Sequence, residues 1–427
     1  MSRRSISLPR FNGESMFYTF IPETDLNDKL ALYSHAQTTL GKTHCVSFQP
    51  NVLEGENQDR YVVREFTLSD GSVWKFRALF DGHIESDTVN HAAEHLPRMI
   101  HDRLSRCSAS LSLDRDSVSS MLAEAIKAYD DSLLEDLLSI APQFESESQL
   151  SRFTDEEIQN IIQNMDESRS KITRCMCGTT VVVALTSPGN ESLWVASLGD
   201  SYAILGVQLT PNSTEEWETV VLSSHHNGQA PDERQRLIRE HPDEPEVVYR
   251  SRVLGQLALT RALGDHPYKL PRVYTERVFC KVDDMREYRS SLKHWVLPRI
   301  ITPPYVSNIP DVQYFDLKSK RSRHPHREFD NQENDHSLRL CLLMCTDGLL
   351  DLYQDESKYA SDSTAIFQRC MKVASPRSDM DNQTTNPALM ILRDALGGAD
   401  VQRVSAMMTV ELYDKWMDDT TVLFEEL

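Results

Sequence analysis

Short apolar runs that end or begin at an aspartate recur along the chain. The five runs cover residues 56–63, 78–83, 194–200, 342–348 and 418–424. Their richness in Val, Leu and Phe is typical of buried strands. A carboxylate at the end of a buried strand is costly to desolvate, and several such groups brought together repel one another unless a cation lies between them. The pattern therefore predicts a metal site at the edge of a β-sheet core.

Two turn signals between these runs predict β-hairpins. Residues 59–82 alternate in strand fashion around Ser-Asp-Gly-Ser at 69–72, and residues 178–198 contain Ser-Pro-Gly-Asn at 187–190. Strands interspersed with amphipathic helices fit either a parallel α/β sheet or an antiparallel sandwich flanked by helices. The periodicity does not decide between these two architectures.

Apolar residues spaced three and four apart predict two long helices. The first runs over residues 89–104, with Pro97 as a kink, and the second over residues 121–137. Thr154 followed three residues later by Glu157 indicates another helix start, because each side chain can cap the other's backbone N–H.

Composition restricts the classes of partner and ligand. The net charge of −20 argues against nucleic acid and anionic membrane partners. None of the 8 cysteines lies in a pair of Cys-x-x-Cys motifs, so zinc is disfavoured and the thiols are expected to be reduced. Carboxylate ligands suit Mg²⁺ or Mn²⁺ instead. The sequence contains no 18-residue apolar run, which argues against a transmembrane segment.

The first 13 residues contain three arginines, three serines and no acidic residue. That is the composition of a mitochondrial presequence, but Glu14 and Glu23 follow soon after. We favour an ordinary disordered terminus here, and we predict a cytoplasmic location with the mitochondrial matrix as the alternative.

Seven motifs follow one another in a recognisable order. They are Asn-Gln-Asp at 57–59, Phe-Asp-Gly-His at 80–83, Cys-Gly-Thr-Thr at 177–180, Ser-Leu-Gly-Asp-Ser at 197–201, Leu-Ala-Leu-Thr-Arg-Ala-Leu-Gly-Asp at 257–265, Thr-Asp-Gly-Leu-Leu-Asp at 346–351 and Asp-Asp-Thr-Thr-Val at 418–422. Together they resemble the metal-dependent Ser/Thr protein phosphatases of the type 2C family. Residues 225–242 are similar to the pyruvate dehydrogenase phosphatase branch of that family.

The resemblance implies an α+β fold, an α/β/β/α four-layer sandwich of two antiparallel sheets flanked by helices. Residues 1–44 would be an N-terminal extension and residues 45–427 the phosphatase domain, with a flap-like segment at about 266–310 and a charged loop at 318–336. The implied activity is hydrolysis of phosphoserine and phosphothreonine through a hydroxide that bridges two Mg²⁺ or Mn²⁺ ions. We expect a phosphoprotein substrate, no nucleic-acid or membrane partner, and a monomer.

The resemblance also implies roles for individual residues. Asp81 would bridge both ions and the Gly82 carbonyl would bind one of them. Asp59, Asp347 and Asp418 would complete the second ion, with Asp418 preferred to Asp419. Asp200 and Asp351 match positions of a further, weaker metal, and His83 would be the general acid. Asp265 has no metal role in the family, so we expect a structural role for it.

Three departures from the family pattern leave a second hypothesis open. Ile84-Glu85 replaces two small residues after His83, and Gln58 stands where the family commonly has Glu. The family's phosphate-binding arginine has no match at residues 52–54. Arg60 and Arg64 are the candidates to replace it. The alternative to an active phosphatase is therefore a pseudophosphatase that binds phosphoproteins or regulates partners. A hydrolase of small phosphoesters is a weaker third hypothesis, and substrate and regulation stay open.

Overall fold

The structure is a computed structural model, and its description rests on part of the chain. The described residues are 2–7, 14–50, 56–110, 113–140, 145–163, 166–208, 216–283, 285–322, 338–354, 363–375, 386–412 and 415–427.

The secondary structure of these residues mixes strands and helices throughout. The strands are β1 Ser2–Ser7, β2 Ser15–Phe20, β3 Gln37–Thr39, β4 Thr43–Phe48, β5 Asp59–Thr67, β6 Val73–His83, β7 Gly178–Thr179, β8 Val181–Thr186, β9 Ser192–Leu198, β10 Tyr202–Gln208, β11 Trp217–Val221, β12 Val248–Tyr249, β13 Arg252–Val253, β14 Leu263–Gly264, β15 Asp311–Asp316, β16 Leu340–Cys345 and β17 Thr420–Glu426. The helices are α1 Glu23–Tyr33, α2 Asp87–Ser110, α3 Arg115–Ile140, α4 Glu147–Leu150, α5 Asp155–Gln163, α6 Asp166–Met176, α7 Pro231–Glu240, α8 Arg272–Arg277, α9 Arg286–Ser291, α10 Leu317–Ser322, α11 Gly348–Gln354, α12 Ser363–Ala374, α13 Pro387–Leu396 and α14 Val401–Thr409.

Two large sheets form the centre of the fold. One has the strand order β11-β10-β16-β17-β4-β3, and the other has the order β14-β7-β6-β8-β9-β15 with β5 also paired to β6. Every neighbouring pair in both sheets is antiparallel. The predicted α+β class with antiparallel sheets and flanking helices is confirmed, which decides the choice that periodicity left open. The four-layer order itself stays a prediction.

The central strands are apolar on both faces because each face packs against a different layer. Successive side chains of a strand point to opposite sides of its sheet. In β6, Leu79 joins a cluster made by strands of both sheets, whereas Ala78 and Phe80 join the cluster that contains α2 and α3. In β16, Leu342 lies between the sheets and Leu343 packs with α11 to α14. Continuous apolar runs therefore replace the alternating pattern of a half-exposed strand.

Both predicted hairpins and the predicted helix start are confirmed. Strands β5 and β6 pair antiparallel around a turn in which the Ser72 N–H donates to Asp70 Oδ1 at 2.9 Å. Strands β8 and β9 pair across residues 187–190. Thr154 and Glu157 cap each other as expected, the Thr154 N–H donating to Glu157 Oε2 at 2.7 Å.

The two predicted long helices are α2 and α3, and both are longer than predicted. Helix α2 continues through Pro97. Its apolar positions pack with those of α3 in one buried cluster. The predicted helical periodicity therefore corresponds to real burial.

The amino-terminal segment differs from the disordered terminus that we favoured. Strand β1 pairs antiparallel with β2, and β2 lies against α14, where the Thr19 N–H donates to Thr409 Oγ1 at 3.0 Å. Helix α1 contributes Leu26 and Leu30 to the same apolar cluster as β4 and β17. Residues before the predicted boundary at 45 thus pack against the described core, and the boundary itself stays a prediction.

The two predicted insertions differ in how much structure they carry. The flap-like segment 266–310 contains the short helices α8 and α9, and buries Phe279 and Leu292 in the cluster formed with α2 and α3. The charged loop 318–336 begins inside α10, and its remainder from residue 323 lies outside the described residues. Within the described ranges, no helix has the combined length and apolar character needed to cross a membrane.

A buried ion pair connects the two sheets. Arg77 of β6 and Glu425 of β17 each have side chains that are 1% exposed. Arg77 Nε donates to Glu425 Oε2 at 2.7 Å, and Nη2 and the Thr43 hydroxyl also donate to this carboxylate. Arg77 Nη1 donates to Thr186 Oγ1 at 2.7 Å. Both charges are thus compensated within the protein.

Glu425→Gln should lower the free energy of unfolding by about 3 kcal/mol, because it leaves the buried Arg77 charge without a counter-ion. Denaturant unfolding measures this change. Glu426→Gln is the matched control, since Glu426 is 55% exposed and pairs with Arg339. The control should cost less than about 1 kcal/mol. Similar losses in the two variants would contradict the assignment.

Candidate active site

Three strand ends bring the first aspartates of the site together. Asp59 at the start of β5 and Asp81 near the end of β6 are direct cross-strand partners. Thr346, immediately after β16, donates from Oγ1 to Asp59 Oδ2 at 2.9 Å. This contact joins the two sheets at one edge and places Asp347, the next residue, beside the other two carboxylates.

The predicted aspartates act on one another electrostatically. Burial raises the pKa of Asp81 well above its ordinary value, and Asp347, Asp59, Asp418 and Asp200 raise it further. Burial raises the pKa of Asp59 to about 8, with the Asp419 charge adding to the effect. Among the described residues, Lys415 pairs with Asp418, but no cationic side chain forms a salt bridge with Asp59, Asp81 or Asp347, in keeping with the raised pKa values.

The pKa of Asp347 is also raised, again by burial and by neighbouring carboxylates. Burial raises it well above the ordinary value, and the charges of Asp200, Asp418 and Asp351 add to the rise. Asp351 lies in the first turn of α11, four residues after Asp347. Both residues assigned to the weaker third ion are therefore electrostatic neighbours of the main cluster.

Two observations test whether this cluster suits a divalent cation. Asp59 Oδ1 and Asp347 Oδ1 are buried and have no hydrogen-bond partner among the described residues. Such orphaned acceptors are rare in proteins and call for an explanation. No group of three or more His, Cys, Asp or Glu side chains in the described part of the chain is preassembled around one point as a metal cage. The donor chemistry, all carboxylate oxygen, fits Mg²⁺ or Mn²⁺.

Gly82 occupies a position where no side chain fits. A Cβ atom there would lie 2.8 Å from Val89 Cβ and 2.9 Å from the Gln58 carbonyl oxygen. The Gly82 N–H donates to that same carbonyl at 3.2 Å. Close approach of α2 and of the segment before β5 therefore requires glycine beside Asp81. Its carbonyl as a metal ligand stays a prediction.

Asp418 and Asp419 have different surroundings. Asp419 is 2% exposed and accepts hydrogen bonds from the Gln58 N–H at 2.7 Å and from the Gln49 side chain. Asp418 is 45% exposed, and its Oδ1 lies 2.9 Å from Lys415 Nζ. The Asp419 carboxylate is thus occupied by the Gln58 backbone N–H, whereas the Asp418 carboxylate is more accessible. This environment supports the preference for Asp418 as the ligand.

Lys415 is a site residue that sequence reasoning missed. Its ammonium group contacts both Asp418 and Asp419, the latter at 3.1 Å. Burial alone lowers the pKa of Lys415, but the charges of the two aspartates raise it above the ordinary value. The spacing of three and four residues is the only sequence signal for this pairing.

His83 pairs with Asp265, for which we had expected a structural role only. His83 Nε2 lies 3.0 Å from each carboxylate oxygen of Asp265, and the Asp265 side chain is completely buried. Burial lowers the pKa of His83, but the Asp265 carboxylate reverses this effect and raises the pKa above its ordinary value. The pair is formed by residues that lie 182 positions apart in sequence.

The loop that carries Asp200 is held by a second histidine. His226 is 1% exposed; its Nδ1 accepts from the Gly199 N–H at 3.2 Å and its Nε2 lies 3.0 Å from Asp311 Oδ2. Asn227 Nδ2 donates to Asp200 Oδ2 at 2.7 Å. His226 and Asn227, both in the segment 225–242 described above, therefore position the loop that carries Asp200.

Ile84, the first departure from the family pattern, has a strained backbone. Its φ is +76°, in the left-handed region that a β-branched residue rarely adopts. A glycine, which with alanine is one of the two small residues expected there from the resemblance, would adopt this conformation without strain. Glu85 follows, and burial raises its pKa, with the charges of Asp87 and Glu56 adding to the rise. The departure thus adds strain and negative charge next to His83.

The two proposed substitutes for the missing arginine lie at different distances from the aspartates. Residues 51–55, where the family's arginine would be sought, lie outside the described residues. Arg60 adjoins Asp59, and its Nε donates to Asn90 Oδ1 at 2.7 Å and its Nη1 to the Asn57 carbonyl at 2.6 Å. Arg64 is five residues from Asp59 along the strand, roughly 17 Å away. Arg60 is therefore the nearer of the two along the strand, but its contact with Asn90 places its side chain on the α2 side of the sheet.

Fold, motif order and site together define a protein serine/threonine phosphatase. A model of the protein phosphatase 2C family matches residues 115–360, more than half of the chain. The chain therefore belongs to the protein phosphatase 2C family.

Several known proteins are similar to this chain. A protein phosphatase 2C homolog of Schizosaccharomyces pombe is 29% identical over 373 residues, covering 85% of this chain and 76% of that protein. Human mitochondrial pyruvate dehydrogenase (acetyl-transferring) phosphatase 1 is 28% identical over 275 residues, covering 58% of this chain and 47% of its own length. The Saccharomyces cerevisiae protein of the same name is 34% identical over 137 residues, 32% of this chain and 22% of that protein. The chain thus spans less than half of these two dehydrogenase phosphatases.

Ile84→Gly should raise the free energy of unfolding by about 1 kcal/mol, because glycine adopts φ of +76° without the cost paid by a β-branched side chain. Denaturant unfolding again measures the change. Ile84→Val keeps the β-branch and should give no gain. If glycine were no better than valine, the backbone at this position would not be strained.

Proposed function

We propose that this protein is an active Mg²⁺- or Mn²⁺-dependent phosphatase that hydrolyses phosphoserine and phosphothreonine in proteins. The observation that carries the proposal is the set of buried carboxylates whose charge the described protein does not compensate, with Asp59 Oδ1 and Asp347 Oδ1 lacking any partner there. Buried charge without a protein counter-charge is costly to fold, and such sites are commonly functional.

In this proposal the carboxylates hold the ions. Asp81 and the Gly82 carbonyl would bind one ion, and Asp81, Asp59, Asp347 and Asp418 the other. Asp200 and Asp351 would bind the weaker third ion. Bound divalent ions would neutralise phosphoryl charge and make a water molecule nucleophilic near neutral pH.

The remaining residues act on the substrate. His83 would donate a proton to the departing serine or threonine oxygen, which is a poor leaving group without protonation. The family's arginine is missing, and Arg60 would supply positive charge from the α2 side of the sheet, where its side chain contacts Asn90.

The relatives' names bear on substrate and compartment. Mitochondrial pyruvate dehydrogenase phosphatases are similar to this chain over a part of their length, which supports a phosphoprotein substrate and the mitochondrial-matrix alternative. The cytoplasmic location and the monomeric state stay predictions. Fractionation of cells that produce the full chain would distinguish the two compartments.

The test is release of phosphate from a phosphothreonine peptide with Mn²⁺, with Mg²⁺ and with chelator. Asp81→Ala and Asp347→Ala should each lower kcat by at least about 10³-fold, because each removes a carboxylate on which ion binding depends. Asp70→Ala is the control, since Asp70 lies in the exposed turn at the far end of the same hairpin. It should keep the rate of the unchanged protein.

Thermal unfolding with and without Mn²⁺ supplies a readout that does not depend on turnover. Binding to the folded state should raise the Tm of the unchanged protein and of Asp70→Ala, but not of Asp81→Ala. A folded protein that neither releases phosphate nor responds to Mn²⁺ would contradict the proposal. It would favour the phosphoprotein-binding pseudophosphatase, which the strained Ile84 and the acidic Glu85 support.

A further inference from the structure

The pair formed by His83 and Asp265 uses one nitrogen of the imidazole ring. Both carboxylate oxygens of Asp265 lie 3.0 Å from Nε2. No described residue makes a hydrogen bond to Nδ1, and 25% of the His83 side chain is exposed. Nε2 is therefore directed to the interior of the protein, and Nδ1 is the nitrogen left for another partner.

The local packing is built around this pair. A Cβ atom on Gly178 would lie 2.2 Å from Asp265 Oδ2 and 2.5 Å from His83 Nε2, so that only glycine leaves room for the contact. The Asp265 N–H is fixed by the Cys177 carbonyl at 3.0 Å. Strand β7, which pairs with β6 at His83 and with β14 just before Asp265, holds both partners.

Asp265 has no other cation close by in the described structure. The nearest lysine in sequence, Lys269, donates to Asp130 Oδ2 at 2.7 Å and to the Ala262 carbonyl. Asp130 also accepts from the Gly264 N–H at 2.7 Å. Since a fully buried carboxylate requires a donor, and Lys269 serves Asp130, His83 is the group that satisfies Asp265.

We propose that Asp265 is a positioning residue, which holds the His83 Nε2–H and thereby fixes the ring so that Nδ1–H faces the leaving-group oxygen of the phosphoester. The proposal rests on the phosphatase function proposed above. The arrangement resembles the aspartate–histidine part of a catalytic triad, with the roles of the two ring nitrogens exchanged.

The proton that leaves Nδ1 goes to the oxygen of the departing serine or threonine. Water forms the new bond to phosphorus while the bond from phosphorus to the serine or threonine oxygen breaks. The electron pair of that bond stays on the leaving oxygen, which takes the proton from Nδ1. His83 keeps its Nε2–H on Asp265, and the proton lost by the attacking water returns to Nδ1 through solvent.

The kinetic test compares two substrates that differ in leaving group. With Mn²⁺ present, Asp265→Asn should lower kcat on a phosphothreonine peptide by at least about 10-fold and on p-nitrophenyl phosphate by less than about 3-fold. KM should change little for either substrate. The double variant His83→Ala with Asp265→Asn should be no slower than His83→Ala alone, because the aspartate acts through the histidine.

Asp311→Asn is the control for loss of a different aspartate–histidine contact, and Asp311 also pairs with Arg261 at 3.0 Å. Asp311 pairs with Nε2 of the buried His226 at the same 3.0 Å distance, but His226 serves the Asp200 loop instead of the leaving group. This variant should leave the ratio of the two rates unchanged. Equal losses on both substrates in Asp265→Asn, or multiplied losses in the double variant, would overturn the positioning role.

A measurement without turnover separates this inference from the phosphatase function. In ¹⁵N-histidine-labelled protein, the His83 signals, assigned by their loss in His83→Ala, should show a protonated Nε2 in a hydrogen bond that Asp265→Asn shifts. Absence of phosphate release by the unchanged protein would overturn the proposed function alone. An Nε2 signal that is the same in Asp265→Asn as in the unchanged protein would overturn the pairing, whether or not the protein releases phosphate.

Discussion

Mutual repulsion among buried carboxylates is the constraint on which the rest of this structure depends. Asp59 and Asp81 face each other across two paired strands, and Asp347 joins them from the other sheet. The strands are held in place by apolar side chains that pack between the sheets and beneath the helices. The rigid core therefore holds negative charges at short range, and their energy favours a positive ion strongly.

The second buried ionic group, Arg77 and Glu425, differs from the aspartate cluster in how its charges are paired. Arg77 and Glu425 are as deeply buried, but each oxygen and nitrogen involved has a protein partner. At the sheet edge the hydrogen bonds orient the carboxylates without neutralising them, as Thr346 does for Asp59 and Asn227 for Asp200. The carboxylates at the sheet edge are thus oriented by neutral hydrogen-bond donors and keep their negative charge.

Much of the fold and of the aspartate cluster could be predicted from sequence, because both depend on local patterns. Apolar runs mark the strands, and an aspartate after a buried run marks the sheet edge. The pairing of His83 with Asp265 could not be predicted, because the two residues meet only through the short strand β7. The positive φ of Ile84 and the contacts of Lys415 likewise depend on tertiary packing. Strand β1 was missed because its side chains are mostly exposed and show no buried face.

The departures from the family pattern lie around the aspartates and leave the aspartates themselves in place. Ile84 and Glu85 follow His83, and Gln58 is held through its backbone by Asp419. Arg60 follows Asp59 in β5, and its side chain donates to Asn90 of α2. In the proposed function, ion binding depends on the aspartates, whereas the fit of a phosphorylated side chain depends on the residues around them. These substitutions can therefore alter substrate choice without removing the groups that bind ions, because the two tasks are assigned to different side chains.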